Sequence, residues 1–214
     1  IQDCKGIWGG SLEFDECGIC GGDNSSCADC AGVPNGLAYE DKCGACDSDA
    51  SNDCVQDCSG VWGGNAYVEI WGECYSVENT TELDFSSQDL TGEIPSEIGN
   101  LTNLTNLYLS QNDLTGEIPP EIGNLTNLIF LDLTWNELTG EIPPEIGNLT
   151  SLTSLELYGN VLSGSIPSEI ENLTNLSFLN LGSNQLTGSI PSEIGNLTNL
   201  TLLDLSSNQL TGEI

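Results

Sequence analysis

The chain contains no histidine and no methionine, and lysine and arginine together number two. Without histidine it lacks the commonest general base and the commonest metal ligand. Its 33 acidic residues leave a formal net charge of −31. Nucleic acid and anionic membrane surfaces are recognised through cationic contacts, so this composition argues against both as partners. No apolar run is long enough to span a bilayer, which argues against membrane insertion. No Ser/Lys or metal-site motif compensates for the missing histidine, and the expectation is a protein that is not an enzyme and requires no cofactor. The first residues carry neither an initiator methionine nor a leader pattern. Ile1 therefore reads as a processed terminus or as the edge of a longer chain.

What is present begins with cysteine. All ten cysteines lie between Cys4 and Cys74. An even, dense cluster in an acidic segment reads as a disulfide framework formed in an oxidising compartment, hence a secreted or cell-surface location. The segment repeats itself. "IQDCKGIWGG" at Ile1 returns as "VQDCSGVWGG" at Val55, with a looser copy at Ala28. Cys4, Cys17, Cys20 and Cys27 form one unit; Cys30, Cys43, Cys46 and Cys54 form a second; Cys58 and Cys74 form a shortened third. If pairing stays within units, Cys58 meets Cys74. By analogy Cys4 would then pair with Cys17, Cys30 with Cys43, Cys20 with Cys27 and Cys46 with Cys54. The C-x-x-C spacings at Cys17 and Cys43 also suit zinc, although a secreted setting favours disulfides. Asp23, Asp47, Asp49 and Asp53 lie in short acidic loops. Closely spaced oxygen ligands suit calcium, and the alternative is a solvated acidic loop.

From residue 77 onward a second repeat takes over, with a period of 24 residues. Leu101, Leu125, Leu149, Leu173 and Leu197 each open a unit. A fixed period with this leucine spacing predicts stacked coils that share one core, since one coil cannot bury its own leucines. Leu107 and Leu109 alternate with Tyr108 and Ser110, which predicts a strand. Leu101, Leu104, Leu114, Ile118 and Ile122 are expected to point inward. Asn112, Asn136, Asn160, Asn184 and Asn208 recur at one position, where a buried amide must hydrogen-bond the turn backbone. Gln88 replaces asparagine in the first unit, which predicts an irregular end coil. Gly92, Gly116, Gly140, Gly164, Gly188 and Gly212 mark a bend that requires positive φ.

The recurring L-T-G-x-I-P element resembles the plant-specific subtype of leucine-rich repeats, which also occurs in bacterial surface proteins. The resemblance covers residues 77–214. It implies a leucine-rich-repeat solenoid with a short parallel sheet on the concave face, a second short strand near L-T-G-x-I-P, and binding of protein, peptide or glycan in place of catalysis. "WGECYSVENTTELDF", Trp71 to Phe85, looks like the N-terminal cap of that family, where a tryptophan and a disulfide close the core. "DECGICGGDNSSC" is similar to Asp/Gly/Cys repeats of bacterial secreted proteins, which look like stalks. The resulting division is 1–57 for the stalk, 58–76 for the disulfide-linked cap and 77–214 for about six coils. The chain ends at "LTGEI", where earlier copies continue with proline, so a further coil, a cap or a neighbouring molecule is expected to cover the last coil.

Outward positions of the strands carry the candidate binding residues: Tyr108, Phe130, Trp135, Tyr158 and Phe178, beside Asp84, Asp132, Glu156 and Asp204. Aromatic side chains on a polar sheet cost free energy unless something covers them. Such a strip suits a sugar chain, a cationic peptide or a neighbouring subunit. Ten N-x-[ST] triplets stand at Asn24, Asn79, Asn100, Asn103, Asn124, Asn148, Asn172, Asn175, Asn196 and Asn199. They read either as glycosylation acceptors or as the repeat consensus itself. Two functions fit. One is a non-catalytic extracellular binding or adhesion protein that presents the solenoid on a stalk. The other is a subunit of an extracellular filament that self-associates end to end, glycosylated where the triplets are acceptors.

Overall fold

The structure is a computed structural model that describes residues 2–8, 10–14, 20–21, 33, 37, 39–40, 46–47, 58–60 and 67–212. The chain divides into two compact units, Ile1–Gly64 and Asn65–Ile214.

In the first unit, antiparallel bridges join Gln2 to Trp8 and Phe14 to Cys20. The Asp3 carboxylate accepts the backbone N–H groups of Lys5 and Ile7 at 3.0 and 2.8 Å, which closes the turn between Gln2 and Trp8. Strands β1 (Tyr39–Glu40) and β2 (Cys46–Asp47) pair antiparallel. Cys4 is bonded to Cys20, with Cα atoms 5.5 Å apart. This corrects two expected pairs at once, Cys4 with Cys17 and Cys20 with Cys27. The bridge between Phe14 and Cys20 brings Cys20 back beside the first turn, so the third cysteine of the unit, not the second, reaches Cys4. Cys17, Cys27, Cys30, Cys43 and Cys54 lie outside the described residues, as do Asp23, Asp49, Asp53 and Asn24; Cys46 and Asp47 are described only as strand backbone. Cys58 and Cys74 are both disulfide-bonded.

The second unit opens with a hairpin, β3 (Tyr67–Ile70) and β4 (Glu73–Ser76), turned by Trp71 and Gly72, both at positive φ. Two successive left-handed residues match the right-handed twist of a tight hairpin. Trp71 and Tyr75 then meet Phe85 edge to face, with ring centroids 5.1 and 6.0 Å away. Ile70 is fully buried beneath them. The tryptophan cap implied by the sequence therefore packs on the first coil.

The coils follow. Each contributes one three-residue strand to a six-stranded parallel sheet. In chain order these are β5 (Glu82–Asp84), β7 (Asn106–Tyr108), β9 (Phe130–Asp132), β10 (Ser154–Glu156), β11 (Phe178–Asn180) and β12 (Leu202–Asp204). β6 (Thr91–Glu93) and β8 (Asp113–Thr115) form a small second sheet near L-T-G-x-I-P. Bridges at Glu117–Thr139, Glu141–Ser163 and Ser189–Thr211 continue it. A proline then leads into a five-residue 3-10 helix, as at Pro119 before Pro120–Asn124. Its fixed φ and missing N–H suit that entry.

Leu107, Leu131, Leu155 and Leu179 face each other in register and are fully buried, as are Leu101, Leu104, Leu114 and Ile122. Leu109 is equally buried although it lies just beyond β7. The buried asparagines do more than satisfy their own turn. Asn136 Nδ2 donates to the carbonyls of Leu133 and Thr134, and also to Leu109 of the preceding coil at 2.9 Å. Its Oδ1 accepts the Leu114 N–H at 3.1 Å. One side chain thus locks two coils. Gln88 stands in the first coil, with no preceding coil of the repeat to bond: its Nε2 donates to the Asp84 carbonyl, and Asn112 of the next coil accepts the Gln88 N–H.

Candidate binding face

The parallel sheet fixes which side chains stand together. Because successive coils are in register, each outward position becomes a column. The first column reads Glu82, Asn106, Phe130, Ser154, Phe178, Leu202; the second reads Asp84, Tyr108, Asp132, Glu156, Asn180, Asp204. Asp132 and Glu156 are therefore direct cross-strand neighbours, while Asp84 and Asp204 stand apart from them. Phe130 and Leu202 are 40% and 39% exposed, so the first column carries separate apolar side chains between polar ones. Leu202 was not singled out from sequence, because an aliphatic residue in a leucine-rich repeat reads as core.

Most second-column residues hold the strand end. Asp84 accepts the Ser86 N–H, Asp132 the Thr134 N–H, Asn180 the Gly182 N–H and Asp204 the Ser206 N–H, at 2.9–3.2 Å. This turn bond explains a short acidic or amide residue there without any ligand. The backbone and side-chain bonds from Ser86 hold Asp84 below its ordinary pKa, and the side chain and backbone of Ser206 do the same for Asp204. Glu156 differs. Its longer side chain accepts the Ser154 hydroxyl at 3.2 Å. Burial, and then repulsion from Asp132, pushes its pKa up. The second unit contains no lysine, arginine or histidine, so nothing within it neutralises this pair.

Tyr108 is half-buried, and its hydroxyl accepts the Asn106 amide at 3.1 Å. Phe178 is half-buried as well. Trp135 stands out. It is 56% exposed and occupies the position just before the buried asparagine, where every coil takes positive φ. Ser87, Gln111, Ser183 and Ser207 fill that position in other coils, and Gly159 fills it in the next one. A bulky aromatic side chain is poorly suited to the left-handed region. Gly159 makes room for it: a Cβ there would meet the indole at 2.9 Å. The Trp135 N–H bonds the Tyr158 carbonyl at 2.9 Å, and the two rings meet edge to face with centroids 5.1 Å apart. The result is an aromatic wall on one side of Asp132 and Glu156 and the Phe130 column on the other. Gly159 was missed from sequence; the signal was a glycine replacing polar residues at one repeat position.

A family profile for the leucine-rich repeat region matches residues 83–181, and a leucine-rich repeat profile matches 175–197 and 199–214. The ectodomain of the receptor kinase SOBIR1 from Arabidopsis thaliana aligns at 35% identity and TM-score 0.59, over 69% of this chain and 84% of that one. The chain is a leucine-rich repeat protein. Its repeats also align with the Arabidopsis receptor kinase HAESA, solved with the peptide hormone IDA and the co-receptor SERK1, at 43% identity and TM-score 0.62 over 64% of this chain. The plant peptide hormone receptor RGFR1, solved with RGF2, aligns at 42% identity and TM-score 0.60 over 63%. This leucine-rich repeat protein spans only 23% and 22% of those two receptor chains. No described helix is long and apolar enough to cross a membrane.

Proposed function

We propose that this leucine-rich repeat protein is an extracellular, non-catalytic recognition module. It takes a protein or peptide ligand on the open face of its six-stranded sheet, centred on Trp135, Tyr158, Asp132 and Glu156. The observation that carries this reading is Trp135: an exposed indole held in a left-handed backbone position beside a carboxylate pair that no cation of the solenoid neutralises. A ligand bearing lysine or arginine would neutralise the pair while its aliphatic stem lies along the aromatic wall. The solved relatives named as hormone receptors support a peptide or protein as the ligand class. The disulfides support an oxidising, extracellular setting.

A peptide library displayed against the folded chain tests the reading. Selected binders should be rich in basic residues. They should lose about tenfold or more in affinity for Trp135→Ala, the size of effect expected for a central aromatic anchor. Binders indifferent to both Trp135→Ala and Glu156→Gln would move the site elsewhere. Regular elongated particles that persist with Trp135→Ala, seen by light scattering and electron microscopy, would favour the structural alternative of end-to-end assembly.

A further inference from the structure

Two registers of asparagine run through the repeat, one closing the 3-10 helix and one three residues on, and different bonds hold them. In the second register, Asn103, Asn127, Asn175 and Asn199 each donate Nδ2 to a carbonyl of the preceding coil. The acceptors are Glu78, Thr102, Thr150 and Thr174, at 2.8–2.9 Å. Asn127 makes this bond although Ile129 ends its triplet, so the bond belongs to the fold and not to the N-x-[ST] pattern. In the first register, Asn100, Asn124, Asn148 and Asn172 are the last residues of their 3-10 helices and are exposed. None of their amide nitrogens donates a hydrogen bond among the described residues. They line a groove of about 1410 Å³ together with the threonines two positions on, and Gly123 and Gly147 lie between them without side chains. No residue of the groove belongs to the sheet face described above.

We propose that Asn100, Asn124, Asn148 and Asn172 are sites of N-linked glycosylation, and that the second-register asparagines remain unmodified in the folded protein. The reaction joins Nδ2 to the anomeric carbon of a sugar carried on a polyprenyl phosphate. The amide gives up one proton, and the bond from sugar to phosphate breaks as the lipid phosphate leaves. Transfer precedes folding, so folding sorts the products. A sugar on a first-register nitrogen enters an open groove and disturbs no bond. A sugar on a second-register nitrogen replaces an amide hydrogen where that nitrogen already lies against the preceding coil, and it strains one rung between coils. Neighbouring triplets such as Asn100 and Asn103 stand three residues apart, so the first sugar attached also shields the other site. Asn196 is set apart from its register, because Glu171 replaces the corresponding glycine of the preceding coil and accepts the Asn196 Nδ2 at 3.2 Å.

The full chain, given a secretory leader and expressed in a host that glycosylates asparagine, tests the assignment. Glycans released by an amidase in ¹⁸O water convert each occupied asparagine to labelled aspartate, read by peptide mass mapping. Label should concentrate at Asn100, Asn124, Asn148 and Asn172 and stay at background at Asn103, Asn175 and Asn199. Asn124→Gln should be secreted one glycan lighter, and Asn175→Gln should lose no glycan. Equal labelling of both registers, or the reverse pattern, would overturn the proposal. So would an unlabelled chain in which a control triplet appended on a flexible tail is labelled.

Discussion

In the first unit of the chain the described apolar side chains stand in solvent: Trp8 is 78% exposed and Leu37 85%, whereas Leu107, Leu131 and Leu155 of the second are fully buried. The first is tied by covalent bonds, the second by burial shared between coils. A short segment that cannot exclude enough water gains order by restricting its unfolded state. A repeat gains it by copying a face that its neighbour can cover. The two routes fail differently, and that difference can be measured.

The largest effect is expected in the solenoid. Leu131→Ala in the central coil removes a side chain buried by both neighbours and should cost about 2–5 kcal/mol in chemical unfolding. Replacing Cys4 and Cys20 together by serine should cost the first unit about 3 kcal/mol, the value for a loop of this size. It should leave the unfolding transition of the solenoid where it was. Proteolysis read by mass spectrometry separates the outcomes. New cuts confined to the first unit sustain the comparison, and a shifted solenoid transition breaks it.

The same contrast decides how much was legible beforehand. The solenoid was readable because each residue is stated about six times: leucine at the core, asparagine under the turn and glycine at the bend keep their spacing. What escaped there was variation between copies. Trp135 could be seen as aromatic and outward, but not as a residue in a left-handed position that depends on Gly159 one coil later. The acidic residues were visible too, yet the turn bonds that occupy Asp84 and Asp204 arise only once the strand ends. In the cysteine unit the spacing favoured the second cysteine as the partner of Cys4, and the structure uses Cys20. Disulfide connectivity depends on which backbone segments return beside each other, and cysteine spacing does not encode that.

Within the solenoid, the glycines of the 3-10 helices give a finer test of contact between coils. A Cβ at Gly123 would lie 2.6 Å from the Glu145 carbonyl oxygen, a backbone atom that cannot move without shifting its coil. Gly123→Ala should therefore cost about 1–3 kcal/mol, the range for overpacking. At Gly195 a Cβ would meet nothing within 4 Å. Gly195→Ala should be neutral or stabilise by up to about 1 kcal/mol through the unfolded chain. Equal losses at both positions would show that the approach of the next coil does not set the requirement for glycine, since alanine is the better helix former and open space surrounds Gly195.

The smallest expected effect concerns the binding face. Glu156 is half-buried beside Asp132, and its pKa lies above the ordinary value of 4.5. The folded state therefore holds this proton more tightly than the unfolded chain does. Below the unfolded pKa both states are protonated and nothing is lost. As pH rises toward the folded pKa a penalty develops, and above it the penalty is complete. Glu156→Gln should accordingly raise the stability slightly at neutral pH, by less than about 1 kcal/mol after allowance for solvent screening. The gain should vanish in acid. Asp204→Asn should behave in the opposite sense, because its carboxylate is stabilised by Ser206 and that contribution disappears as pH falls through the folded pKa. A basic ligand seated on the face would erase the benefit of Glu156→Gln, since the ligand then supplies the charge the solenoid lacks. If the variant stays more stable than the parent with ligand bound at saturation, the ligand does not sit on Glu156.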